Sequence, residues 1–107
     1  MTGKQISVEE LMDLINKGLP SDSAIIDVRT PEEFSKGAIS GAINIPVDQV
    51  ANNTDKLKGF KKLYIHCLSG GRSQIAVAQL EALNLPIELY NVTSGILAWR
   101  KAGYPLQ

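Results

Sequence analysis

The feature that most constrains this chain is an alternation. Short, largely apolar runs recur between stretches with helical spacing: Ala24-Ile25-Ile26, ending at Asp27; Ala42 to Ile45; Lys62 to His66, centred on Leu63-Tyr64-Ile65; and Ile87 to Asn91. A strand that is apolar on both sides must be covered on both sides, and helices between successive strands supply that cover. The pattern predicts an α/β fold with a parallel sheet between helical layers. With 107 residues the chain makes one domain, large enough to bury a core without disulfides or metals.

The helices carry their own signals. Ser7 and Glu10 have capping-box spacing, and Ile6 and Leu11 fit a hydrophobic staple around that cap. Val8, Leu11, Met12 and Ile15 then share one face, and Gly18 and Pro20 end the helix. Pro31 to Phe34 reads as a single helical turn with Pro at its start, and Val47 to Ala51 as another. Asn52 to Gly59 is polar and reads as a loop. A longer helix is expected from about Ser73 to Leu83, ended by Asn84 and Pro86. A last one is expected from about Ser94 to Ala102, stopped by Gly103 and Pro105.

The chemistry concentrates where the third apolar run ends. Cys67 follows that strand, Gly70 and Gly71 come three and four residues later, and a helix begins near Ser73. A loop held at a helix N-terminus turns backbone N–H groups inward, and with the positive end of the helix dipole these form an anion cradle. The glycines let the backbone adopt positive φ and approach a bound group closely. The same field lowers the pKa of a thiol placed there and makes it a better nucleophile or sulfur acceptor. A free cysteine is often only a small buried hydrophobe. Here a Gly-Gly pair and a basic residue at a strand-to-helix turn weigh against that reading.

Composition narrows the remaining classes. Eleven basic and eleven acidic residues are interspersed, with zero formal net charge, so nothing points to a nucleic-acid or membrane partner. One cysteine forbids an intrachain disulfide and suits a reducing, cytoplasmic compartment. Cys67 and the single histidine, His66, cannot fill a zinc shell alone, so no metal and no cofactor is expected. Met1 to Gln5 is polar and no long apolar run follows, so neither a signal peptide nor a membrane helix is expected. A neutral chain of this size is expected to be a monomer.

Several segments together resemble a family. Cys67-Leu68-Ser69-Gly70-Gly71-Arg72-Ser73 is similar to the active loop of rhodanese-like sulfurtransferases, which commonly reads Cys, two variable residues, Gly, one residue, Arg, Ser. Asp27-Val28-Arg29 with Pro31-Glu32-Glu33-Phe34, then Gly37-Ala38-Ile39 and Gly41-Ala42-Ile43-Asn44-Ile45-Pro46, resemble the family's N-terminal signature. Ser94-Gly95, Trp99 and Gly103-Tyr104-Pro105 resemble its C-terminal one. The matches run in family order over about residues 5 to 106. Two positions depart: Ala38, where members often carry His, and Ser94-Gly95, where they often carry Gly-Gly.

The resemblance implies a single rhodanese-like domain, with a mostly parallel five-stranded sheet flanked by helices on both faces. It implies a sulfurtransferase in which Cys67 takes sulfur from a small sulfur-containing anion such as thiosulfate, or from a persulfide. The sulfur then passes to a thiol, cyanide or a protein thiol. The amides of Leu68 through Ser73 would hold the persulfide. Arg72 could bind the anion, or turn outward and brace the loop against Asp27 or Glu33; the brace is preferred because a six-residue loop leaves little room inside. Arg29 could guide donors at the pocket mouth or form an ordinary ion pair. Ser69 and Ser73 could add hydroxyl donors, Ser73 equally being a helix cap. His66 is expected to be structural, because it alternates with Cys67 and points to the other side. Trp99, Tyr64 and Tyr90 are expected to be packing residues.

His66-Cys67 with a following Arg also resembles cysteine-dependent phosphatases and arsenate reductases. Those enzymes place five residues between Cys and Arg, whereas four separate Cys67 from Arg72. The shorter ring of amides favours sulfur over a tetrahedral oxyanion. A regulatory binding module without turnover is the third class.

Overall fold

The structure, a computed structural model, describes residues 3–107. The polar opening Met1 to Gln5 therefore lies partly outside the described residues. Five strands form one sheet: β1 (Lys4–Ile6), β2 (Ser23–Asp27), β3 (Ile43–Asn44), β4 (Lys62–His66) and β5 (Glu88–Val92). Their order is β1-β5-β4-β2-β3, and every neighbouring pair is parallel. Both faces are covered. Parallel pairing needs crossovers, and the helical segments expected between the apolar runs supply most of them.

On one face lie α4 (Gly71–Ala82), the 3-10 turn Val47–Asn52 and α3 (Thr54–Leu57). They pack Val50, Leu57, Ala76, Val77 and Leu80 onto Ile26, Leu63, Ile65 and Leu89 of the sheet. On the other lie α1 (Val8–Lys17) and α5 (Gly95–Lys101), which pack Val8, Leu11, Ile96 and Trp99 onto Ile25, Tyr64 and Val92. Leu11 is fully buried; burial of one such side chain stabilises by roughly 1.5–3 kcal/mol. The Trp99 indole N–H donates to the Pro105 carbonyl at 2.9 Å, and Tyr64 stacks on Tyr90 at 4.9 Å, so all three are packing residues as expected.

The start of α1 matches its signals. Ser7 Oγ accepts from the Glu10 amide at 3.0 Å, and the Glu10 carboxylate accepts from the Ser7 amide at 3.1 Å. The helix α2 (Pro31–Ser35) repeats the device with Thr30 and Glu33.

Two expectations change, and one strand is new. The segment Asn52 to Gly59 is not wholly a loop: it contains α3, which exists to bury Leu57. The long helix starts at Gly71, two residues before Ser73. The edge strand β1 shows no strand pattern, since only Ile6 of its three residues is buried; pairing with β5 creates it. No helix among the described residues is long and apolar enough to cross a membrane.

Candidate active site

Strand β4 delivers Cys67 to the carboxyl end of the sheet, next to β2, where the Val28 amide donates to the His66 carbonyl at 2.9 Å. The next residues turn back over the sulfur. Gly70 adopts φ +115°, a conformation that excludes most side chains, and its N–H donates to Cys67 Sγ at 3.1 Å. The first turn of α4 adds the Ser73 N–H at 3.4 Å. The Cys67 thiol lies 3.6 Å from Ser73 Oγ.

A second helix holds this loop in place. The Ile96 amide donates to the Cys67 carbonyl at 3.0 Å, and the Leu97 amide donates to the Leu68 carbonyl at 3.1 Å. These are free donors of the first turn of α5, which a helix leaves unsatisfied. They fix the Cys67 and Leu68 carbonyls, while the following amides face the sulfur. The approach is so close that a Cβ on Gly95 would lie 2.3 Å from the Cys67 carbonyl oxygen.

Cys67 is 1% exposed. Burial pushes its thiol pKa up, but donors aimed at the sulfur outweigh that: the Ser73 hydroxyl and the amides of Ser73, Gly70 and Ser69. The net result is a pKa below the ordinary thiol value. Ser69 is exposed and meets the sulfur through its amide, whereas Leu68 is half-buried and packs into the core on the α5 side.

Arg72 turns away from the cradle. Its guanidinium grips Glu33 with two prongs, at 2.7 and 3.0 Å. The grip holds the Glu33 carboxyl down to about 2. Glu33 also accepts the Thr30 amide in the α2 cap, at 3.0 Å. Of the two positions left open by the sequence, the geometry takes the brace, with Glu33 as partner.

Asp27 is instead paired with Arg29. The guanidinium Nε lies 3.0 Å from both Asp27 oxygens, and Nη2 donates to Asp27 Oδ2 at 2.7 Å and to the Gly37 carbonyl at 2.8 Å. Both residues are buried. Of the two readings of Arg29, the structure shows the ion pair: its charge is spent on Asp27 and on the turn at Gly37. Removing one partner of such a buried pair costs about 3–5 kcal/mol.

His66 lies on the opposite face from Cys67, beside Asp27. Its Nδ1 meets the Cys67 carbonyl at 3.3 Å, and its Nε2, 3.8 Å from Asp27 Oδ2, has no hydrogen-bond partner. Burial holds its pKa below the ordinary histidine value, so it is a neutral spacer at neutral pH. Among the described residues no cluster of His, Cys, Asp and Glu could hold a metal ion.

Sequence reasoning missed three contributors: the α5 amides, Asn44 and Asn91. The Asn44 side-chain amide donates to the Asp27 and Arg29 carbonyls at 3.0 and 2.9 Å. Asn91 accepts from the Ser73 hydroxyl. A signal for Asn91 was present, since an amide stands beside Val92 in a strand otherwise read as buried.

Comparison with known proteins agrees with this geometry. The model of the rhodanese-like domain matches residues 7–102. A Bacillus subtilis protein described as uncharacterised is 39% identical over 75 residues; the match covers 70% of this chain and 59% of the relative, less than two thirds of its length. A protein of Allochromatium vinosum named sulfurtransferase is 31% identical over 85 residues, covering 79% of this chain and 78% of its own. The crystal structure of a rhodanese-related protein from Thermoplasma volcanium superposes with a TM-score of 0.84 at 31% identity, covering 97% of both chains. With its parallel sheet, its cysteine loop and the match across most of its length, the chain belongs to the rhodanese-like domain family.

Proposed function

We propose that the protein is a sulfurtransferase that carries sulfane sulfur as a Cys67 persulfide. The observation that carries this reading is the Cys67 cradle: the amides of Gly70 and Ser73 aim at Sγ at 3.1 and 3.4 Å, while Arg72 is committed to Glu33. Fixed donors of this kind stabilise an anion where it forms. A phosphatase or arsenate reductase would need a cation in the cradle for the oxyanion, and Arg72 does not point there.

The reaction has two displacements. The Cys67 thiolate attacks the outer sulfur of thiosulfate; an S–S bond forms, the bond to the sulfonate sulfur breaks, and sulfite leaves with the electron pair. A persulfide donor reacts in the same way and releases its thiolate. An acceptor thiolate, a protein thiolate or cyanide then attacks the outer sulfur of the Cys67 persulfide. It leaves as a persulfide or thiocyanate and restores the Cys67 thiolate. Ping-pong kinetics follow. Every group used comes from one chain, so a monomer suffices.

The test is intact mass after brief incubation with thiosulfate or a low-molecular-weight persulfide, before and after reduction. The native chain should gain the mass of one sulfur atom and lose it on reduction, and Cys67→Ser should gain none. No gain with either donor refutes the carrier reading and leaves a binding module without turnover.

A further inference from the structure

The Ser73 hydroxyl has more claims on it than it can meet. Its oxygen lies 3.6 Å from Cys67 Sγ and 3.0 Å from the Gly70 carbonyl, and it also contacts the Asn91 side-chain oxygen. A hydroxyl has one proton to give and two lone pairs to receive with. When Cys67 is a thiol, its S–H can donate to Ser73 Oγ, and the Ser73 proton then goes to Asn91. When Cys67 is a thiolate or a persulfide anion, the same proton is needed at sulfur.

Asn91 is built for both situations. It lies in β5 between β1 and β4, in register with Gln5, and is 1% exposed. A buried amide is costly unless its hydrogen bonds are made. Asn91 makes one with Ser73 and gives another from Nδ2 to Gln5 Oε1 at 2.9 Å. An amide presents an acceptor and a donor of nearly the same shape. A half-turn of the Asn91 side chain therefore replaces the acceptor facing Ser73 with a donor and displaces no neighbour. Gln5 is exposed and turns with it.

We propose that Asn91 is a positioning residue for Cys67, acting through Ser73: its amide accepts the Ser73 proton while the sulfur is a thiol, and reverses to donate to Ser73 Oγ while the sulfur is an anion. The chain Gln5–Asn91–Ser73–Cys67 then runs in either direction with every bond satisfied, and linked hydrogen bonds strengthen one another. The inference deepens the sulfur-carrier reading and rests on it for its purpose, whereas the coupling itself concerns only the charge of Cys67.

The titratable and charged groups around the loop are His66 on β4, the Asp27–Arg29 pair at the end of β2, and the Arg72–Glu33 pair that ties α4 to α2. None of them is a hydrogen-bond partner of Asn91, so a shift that depends on both Asn91 and Ser73 belongs to the chain.

The experiment is a double-mutant cycle read by the ultraviolet absorbance of the Cys67 thiolate against pH, in the native chain, Asn91→Leu, Ser73→Ala and the double variant. Asn91→Leu takes away the donor that supports the anionic state, while in the thiol state the Ser73 proton still has the Gly70 carbonyl. The Cys67 pKa should therefore rise by about half a unit to one unit, the effect of one hydrogen bond. In the Ser73→Ala background the same substitution should add nothing. An unchanged pKa in Asn91→Leu, or an equal shift with and without Ser73, overturns the proposal.

Should Asn91→Leu fail to fold, the native chain gives the answer by NMR. The Asn91 side-chain amide resonances should move with the Cys67 titration, and stationary resonances overturn the proposal. Sulfur loading by intact mass on the same native sample separates the two readings. A chain that shows the coupling but takes no sulfur removes the carrier and keeps the positioning role.

Discussion

Arg72 and Glu33, 39 positions apart in sequence, meet in a two-pronged ion pair that ties the first turn of α4 to α2. The pair is about two-thirds buried on each side and belongs also to the α2 cap. It thus braces the wall of the sulfur loop and does not act within it. Arg72→Ala should cost about 1 kcal/mol, because solvent still screens the pair, and should slow sulfur loading while leaving Cys67 able to load. Carboxyl NMR checks the cause. Glu33 titrates near 2 in the folded chain against the usual 4.5, so its stabilisation is complete above pH 4.5 and is lost as pH falls toward 2. In Arg72→Ala the midpoint should return toward the usual value.

The thiol of Cys67 should titrate below the ordinary thiol value, because the donors aimed at its sulfur outweigh its burial. Its folded pKa is lowered, so the stabilisation is full above the unfolded thiol value and is lost as pH falls through the folded one. The rate of persulfide formation should follow the same curve. Ser73→Ala removes one donor and should move both profiles to higher pH; superimposable profiles would show that the hydroxyl does not face the anion.

Two neighbouring residues in positive φ should respond in opposite directions. Gly95→Ala forces a Cβ against the Cys67 carbonyl at φ +48° and should cost about 3 kcal/mol in urea unfolding. Ser94 sits at φ +60° in a region that disfavours its Cβ. Ser94→Gly should be neutral or add up to about 1 kcal/mol. This also gives a physical reason why the family often carries glycine there.

His66 should leave a mark on acid stability. Burial lowers its folded pKa below 6.5, so stability is full above pH 6.5 and falls as pH drops from 6.5 through the folded value. The slope contributed by one proton is at most about 1.4 kcal/mol per pH unit. His66→Gln should flatten the urea-derived stability profile over that range. An unchanged slope would assign the acid sensitivity to other groups.

The sequence showed the fold wherever a pattern was local. The apolar runs of β2 and β4, the Ser7–Glu10 cap and the Cys67–Ser73 spacing are each written in a few adjacent residues, and each stands in the structure. What escaped was set by distant partners. Lys4-Gln5-Ile6 becomes a strand only because β5 lies beside it. Thr54 to Leu57 becomes helical to bury one leucine. Arg29 turns inward because Asp27, Gly37 and Asn44 together complete its surroundings, and no spacing rule contains all three. Asn91 matters through Ser73, eighteen residues earlier, and a single amide in a strand does not announce its partner.

The depth of Cys67 has one more consequence. A disulfide between two copies would need their cysteine Cα atoms within about 7 Å. Here each Cys67 is 1% exposed, its sulfur under its own loop at the first turn of α4 and its carbonyl held by the first turn of α5. Two folded chains cannot bring these sulfurs together, so the thiol is barred from a dead-end dimer by shape alone. In the proposed transfer, whatever reaches the sulfur has to be slender, a demand that a small anion or a single extended side chain would meet.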